Sequence, residues 1–218
     1  ALERLRALDL SKYNTHDPAL PPPEPGYVLI VDQVRGDASL SHGGLGDAAA
    51  VDRRFRDMLN AALDEHPGAR ILIRTHPETS AGQRPGHYHS EDAIGRVSFI
   101  EGAHSPWALL DGAIAVYTVS SQMGFEAILA GHRPHVHCAP FYAGWGLSHD
   151  HGPALPRRGR RLSAVQVFAA AMLLAPVWYD PCRDRLCDFE TALDQIEAEA
   201  RVWRADRAGH VAVGMRAW

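Results

Sequence analysis

Pro25-Gly26-Tyr27-Val28-Leu29-Ile30-Val31-Asp32-Gln33 carries five consecutive apolar residues between a Pro-Gly opening and a polar close. A run of that length, rich in β-forming residues and bounded by turn formers, is too short for a buried helix and reads as a strand. The same signature recurs at Ile71–Arg74, Val97–Ile100, Ala113–Thr118 and Pro134–His137. Helical stretches fall between these runs, at Ala48–Glu65, near Trp107–Leu110 and from Ser121 to Ala130. Strands that alternate with helices make βαβ units, and βαβ units make a parallel sheet. The expected fold class is therefore α/β, with a Rossmann-like parallel sheet.

Outside that body the pattern changes. An N-terminal helix is expected over Ala1–Leu10, and Pro18–Pro25 can continue neither a helix nor a central strand. Beyond the sheet come a polar, Arg-rich loop (Ser148–Arg161), a helix (Ala164–Leu174), a Trp178-Tyr179-Asp180-Pro181 turn and a terminal helix around Phe189–Arg204. The resulting division is 1–25 for a helix and Pro-rich linker, 26–161 for the Rossmann-like domain and 162–218 for a C-terminal helical extension. No internal repeat is visible.

The 218 residues, 46% hydrophobic and 22% charged with a net charge of −4, exclude disorder and a strongly basic nucleic-acid binder. No apolar run approaches the ~18–20 residues of a membrane span, and no leader pattern opens the chain, so a cytoplasmic protein is expected. Three unevenly spaced cysteines, Cys138, Cys182 and Cys187, argue against a disulfide framework. The chain opens on Ala1 inside a helical pattern, which suggests a piece of something longer.

Ligands of open α/β sheets sit at the carboxyl ends of the strands. The segments at those ends are Asp32–Ser39, Thr75–Glu78, Val119–Gln122 and Ala139–Gly146, all polar or aromatic where a core needs neither. Ser120 and Ser121 stand where a strand hands over to a helix, so they serve either as an N-cap or as a phosphate site. Glu126 follows on the same helix, as a ribose contact or an ordinary face charge. His76-Pro77 offers an imidazole donor in a stiff turn. Asp37 fits either a turn aspartate bonded to its own backbone or a carboxylate nucleophile. Tyr142 and Trp145, set among glycines, suit sugar stacking or a hydrophobic plug.

Other motifs are weaker. Gly43-Gly44-Leu45-Gly46 lacks the spacing of a dinucleotide fingerprint. The group His132, His135 and His137 and the pairs His87/His89 and His149/His151 lack the Cys or carboxylate partners of a zinc site, so no metal is expected. No G-x-S-x-G elbow is present.

Taken together, Val31–Ser39, His76-Pro77, Ser120–Ala127 and Pro140–Leu147 resemble the bacterial capsule polysaccharide β-Kdo transferases. Ser11–Asn14 and Tyr179–Cys182 resemble that family's flanking segments. The resemblance implies one lobe of a GT-B-like, retaining glycosyltransferase. Such an enzyme moves Kdo, an eight-carbon acidic sugar, from CMP-Kdo to a Kdo-terminated lysophosphatidylglycerol acceptor at the inner face of the cytoplasmic membrane. By that resemblance His76, Ser120 and Ser121 bind the CMP phosphate, Glu126 approaches the ribose, and Gln33 with Asp37 forms a Gln-x-x-x-Asp pair whose aspartate is the nucleophile. Tyr142 and Trp145 are the expected acceptor or sugar contacts. CMP-Kdo serves as donor substrate and no cofactor is implied. The implied partners are a second GT-B lobe and other capsule assembly proteins, and no nucleic acid. The alternative is a non-catalytic nucleotide-sugar or polysaccharide-binding module of the capsule assembly and export machinery.

Overall fold

A computed structural model describes residues 1–43 and 46–205. Gly44 and Leu45 of the glycine run, and 206–218 of the expected C-terminal extension, lie outside the described residues. In chain order the elements are α1 (Leu2–Ala7), β1 (Tyr27–Val31), α2 (Ala38–His42), α3 (Ala48–Glu65), β2 (Arg70–Arg74), α4 (Pro77–Ser80), β3 (Val97–Phe99) and α5 (Pro106–Gly112). They continue with β4 (Ala113–Thr118), α6 (Met123–Leu129), β5 (His135–Val136), β6 (His149–Asp150), α7 (Ala164–Phe168), β7 (Trp178–Asp180), β8 (Arg185–Cys187) and α8 (Phe189–Ala205). A π-helical segment, Ala169–Leu174, extends α7.

The six-stranded sheet runs β3-β2-β1-β4-β5-β6, with every neighbouring pair parallel. β1 is central and all five of its residues are buried. Its alternate side chains feed two cores: Tyr27, Leu29 and Val31 join one cluster, Val28 and Ile30 the other. The second cluster is filled by α3, whose buried Val51, Phe55, Met58, Leu59 and Ala62 recur at helical spacing on one face. Asp47 starts that helix by accepting from Ala50 N–H. The first cluster takes Trp107, Leu109 and Leu110 of α5, Phe125 and Ile128 of α6, Phe168 of α7, and Phe189 and Leu193 of α8. Leu5 of α1 and Leu10 share it, so the N-terminal segment and the C-terminal helices close over the same face of the sheet.

Four local expectations change. The first helix stops at Ala7, because Asp9 takes a left-handed backbone (φ 53°) with its carboxylate held by Ser105 and His16. α6 begins at Met123, two residues past the expected start. The Arg-rich loop opens with β6, a two-residue edge pairing fixed by His149 N–H to Pro134 O and His151 N–H to Val136 O. Trp178–Asp180 is a strand of an antiparallel hairpin with β8, its turn held by Asp180 Oδ1 accepting from the Cys182 and Arg183 N–H groups.

The order β3-β2-β1-β4 reverses direction between β1 and β4, since the chain winds outward from β1 to β3 and then returns to β4. The loops leaving these two strands diverge and open a crevice at their carboxyl ends. Burying an aliphatic side chain fully in such a core stabilises by roughly 1.5–3 kcal/mol, and removing it leaves a cavity as well. Ile30→Ala on β1 is expected to lower unfolding free energy by about 2–5 kcal/mol in a denaturant titration. Ile114→Ala, at a position 56% exposed on β4, is expected to change it by less than about 0.5 kcal/mol.

Candidate functional site

A cavity of about 250 Å³ occupies this crevice. Gln33, Asp37, His76, Ser120, Ser121 and Glu126 all line it, so residues spread over 94 positions of the sequence meet in one place.

Gln33 is buried at the junction of the two loops. Ser120 N–H donates to its Oε1 (2.9 Å), and this bond fixes the orientation of the amide. Its Nε2 faces Ser120 Oγ at 3.1 Å, Ser39 Oγ at 3.3 Å and Asp37 Oδ2 at 3.4 Å. The Ser39 and Ser120 hydroxyls complete the cluster at 2.8 Å. Ser120 is therefore committed to the β1 loop. Ser121 differs: its Oγ accepts from Met123 N–H (3.3 Å), which leaves the hydroxyl proton with no partner among the described residues.

Asp37 caps α2, with Oδ1 accepting from Ser39 N–H at 2.9 Å. Burial pushes its carboxyl up, yet the Ser39 backbone and hydroxyl and the Gln33 amide outweigh that and hold it below the ordinary value. Asp37 is thus bonded to nearby backbone as a cap, and it also lines the cavity. His76 caps α4, its Nδ1 accepting from Glu78 N–H at 3.2 Å. The proton of the neutral ring then resides on Nε2, which lies 3.1 Å from Tyr13 Oη. Burial lowers this histidine to about 4, so it is neutral at physiological pH.

Two further carboxyls line the same space. Burial pushes Asp32 up to about 6, although its Oδ1 accepts from Gln33 N–H and His87 N–H. Burial likewise raises Glu126, whose Oε1 accepts from Ser11 Oγ at 2.6 Å. Glu126 thus reaches the cavity wall with one oxygen already engaged.

Two expected contacts lie outside the cavity lining. Tyr142 is wholly buried and donates to Ser121 O, so it is a core residue under the Ser-Ser turn and no sugar contact. Its packing is tight: a Cβ at Gly124 would stand 2.3 Å from the Tyr142 hydroxyl and 2.8 Å from Thr118 Cγ2. Trp145 lies outside the cavity lining, its indole N–H on Phe141 O and Arg158 over its ring. Of this aromatic segment it is Phe141 that lines the cavity, 45% exposed and packed edge-on against Phe125.

Sequence reasoning also missed one wall. Ser11, Lys12 and Tyr13 line the cavity from a segment that precedes β1. Lys12 is the chain's only lysine, and its ammonium sits 5.2 Å from the Tyr13 ring centroid. The signal was available in that single lysine beside an aromatic residue. Arg74, at the end of β2, also lines the cavity.

The histidines of the sheet edge form a separate stack in which His135 lies 4.2 Å from Tyr117 and 5.2 Å from His151. Among the described residues no group of three or more His, Cys, Asp or Glu is arranged to hold a metal ion. Nor is any described helix long and apolar enough to cross a membrane.

Residues 5–176 match the family described as capsule polysaccharide biosynthesis protein. The lipopolysaccharide-processing protein LpsZ of Rhizobium meliloti is 35% identical over 179 residues, a match that covers 80% of this chain and 39% of that protein. The capsule polysaccharide modification protein LipA of Neisseria meningitidis serogroup B is 34% identical over 221 residues, 96% of this chain and 30% of that protein. The chain therefore spans well under half the length of these curated relatives. Among solved structures, the KpsC β-Kdo 2,4 transferase of Thermosulfurimonas dismutans superposes with a TM-score of 0.79 at 36% identity, over 90% of this chain and 60% of that one. The KpsC β-Kdo 2,7 transferase of the same organism, at 22% identity and a TM-score of 0.64, shares the fold.

The buried histidines make a pH prediction. Because His76 titrates lower in the folded chain than the ordinary 6.5, the unfolded chain binds more protons between about 6.5 and 4. The contribution of His76 to stability is expected to be full above pH 6.5 and to fall progressively toward pH 4. In an NMR titration the His76 ring signals are expected to move with a midpoint near 4; a midpoint near 6.5 contradicts the buried, neutral assignment.

Proposed function

Because the chain belongs to the capsule polysaccharide biosynthesis family, we propose that it is the nucleotide-sugar-binding lobe of a GT-B-like, retaining β-Kdo transferase that takes Kdo from CMP-Kdo. The observation that carries this reading is the meeting of Asp37, His76 and the Ser120-Ser121 turn around one cavity at the β1/β4 crossover. The likeness to a solved β-Kdo transferase over 90% of the chain supports the sugar, and the capsule relatives support the setting.

In this reading the CMP phosphate rests against Ser121 and His76. Ser121 contributes its hydroxyl proton, and His76 exchanges Tyr13 for a phosphate oxygen as acceptor of its Nε2–H. A neutral imidazole can do this, because with Nδ1 engaged as an acceptor its one proton sits on Nε2. Ser120, held by Gln33, keeps the turn in place. Asp37 keeps one oxygen on Ser39 N–H and attacks the anomeric carbon with the other as the bond to the CMP phosphate oxygen breaks, its electron pair leaving with CMP. An acceptor hydroxyl then displaces the Asp37 carboxylate and gives its proton to solvent water, so two inversions give net retention, as in double-displacement glycosidases. The carboxylate's depressed pKa keeps it ionised for the first step. The acceptor in this reading is a Kdo-terminated lysophosphatidylglycerol at the cytoplasmic face of the inner membrane, and a second lobe supplies part of its site.

A second reading, a binding module without turnover, draws on the fact that the chain spans 60% of the KpsC transferase chain it superposes on. The two part in one assay. Incubation with CMP-Kdo and a Kdo-terminated acceptor is expected to release CMP and add one Kdo mass to the acceptor. Asp37→Ala is expected to lower that rate by at least about a thousandfold and to abolish any protein-bound Kdo adduct in intact mass spectra. CMP binding without CMP release supports the second reading, and a Kdo adduct that persists in Asp37→Ala removes Asp37 as the nucleophile.

A further inference from the structure

Arg74 closes β2, where Leu72 and Ile73 are buried, and carries the strand's charge to the edge of the crevice. It lines the 250 Å³ cavity and also an adjoining one of about 610 Å³ whose walls include Thr15, His16, Ile100 and His104. Its guanidinium has five donors and, among the described residues, one hydrogen-bond partner: Nη1 donates to Met123 Sδ at 2.9 Å. A thioether is a weak acceptor.

Other half-buried arginines are supplied with oxygen. Arg96 donates to the His66, Ala69 and Leu63 carbonyls, Arg158 to Pro140 O and Ala143 O, and Arg35 to Asp52 and Gly86 O. No ion pair involving Arg74 occurs among the described residues. Glu126 is the carboxyl that acts on it through space, but Ser11 takes one of its oxygens and burial pushes it toward the neutral form. The half-buried Arg74 guanidinium, set against a sulfur atom, would gain stronger hydrogen bonds from a planar anion.

We infer that Arg74 binds the carboxylate of an acidic sugar, gripping it with two parallel N–H donors at the boundary between the two cavities. This rests on the transferase reading. An ulosonic acid carries its carboxylate on the anomeric carbon, one bond from the leaving phosphate, so its recognition belongs beside the phosphate residues. The fork of a guanidinium matches two carboxylate oxygens in one plane, which an ammonium cannot do. Because Arg74 faces both cavities, the carboxylate comes from the donor sugar or from the Kdo that ends the acceptor. Holding either would fix the sugar ring relative to Asp37.

Calorimetric titration of the full chain with CMP, CMP-Kdo and the methyl glycoside of Kdo separates these cases in wild type, Arg74→Met and Arg74→Lys. CMP affinity is expected to stay within twofold throughout. CMP-Kdo affinity is expected to fall at least tenfold in Arg74→Met, toward that of CMP, and to recover in part in Arg74→Lys. A loss confined to the methyl glycoside assigns the carboxylate to the acceptor. Equal losses for CMP and CMP-Kdo, or no loss for either sugar, overturn the inference while leaving the transferase reading in place. Wild type that binds neither CMP nor CMP-Kdo overturns both. Should Arg74→Met fail to fold, the wild-type Arg74 Nε–H resonance decides: it is expected to shift with CMP-Kdo or the glycoside and not with CMP, and a resonance that stays still refutes the assignment.

Discussion

A single buried amide holds the crevice in shape. β1 and β4 lie side by side and run the same way, so the loops that leave them start as neighbours and then part. The Ser120 N–H takes its acceptor from the neighbouring loop. Without Gln33 the buried Ser120 N–H would lack its acceptor, a loss of about 1–3 kcal/mol in such a setting. Gln33 supplies that acceptor and spends its two donors on the hydroxyls and carboxylate around it. The distance between Asp37 on one loop and the Ser-Ser turn on the other thus follows from the length of one side chain. Glutamate would present no donor to Ser120 Oγ, and asparagine would be one carbon short.

Around that brace the cavity sorts like groups into unlike states. Asp37, Asp32 and Glu126 are all carboxyls within one wall, yet hydrogen-bond donors hold the first down while burial pushes the other two up. Environment, and not residue type, separates an ionised carboxylate from carboxyls that resist ionisation. His76 follows the same logic from the basic side, neutral because it is buried and oriented because a backbone N–H claims Nδ1.

The sheet was legible because its strands are short apolar runs with Gly and Pro at their borders, and β1 is the clearest of them. Placing polar residues directly after such runs is enough to locate the crevice, which is why Asp37, His76 and the Ser-Ser turn meet where strand ends converge. What escaped the sequence has physical reasons. Ser11–Tyr13 reach the cavity through tertiary packing of Leu5 and Leu10, a contact across more than 100 positions that no local pattern encodes. Phe141 and Tyr142 are adjacent, and which of the two turns inward depends on the cup beneath Ser121 and not on their own chemistry. β6 and the β7–β8 hairpin consist of two and three residues per strand, too few for alternation to register.

The space over Gly124 couples two parts of the chain in their history. Tyr142 fills it, reaches Ser121 O and so supports the turn from below. A side chain at 124 would displace the tyrosine, and a smaller residue at 142 would leave the turn unsupported and a void behind it. Neither position can drift alone. Changes at 124 and 142 are therefore tolerated only in compensating pairs, so that a residue buried beneath the cavity constrains which sequences can keep the Ser-Ser turn.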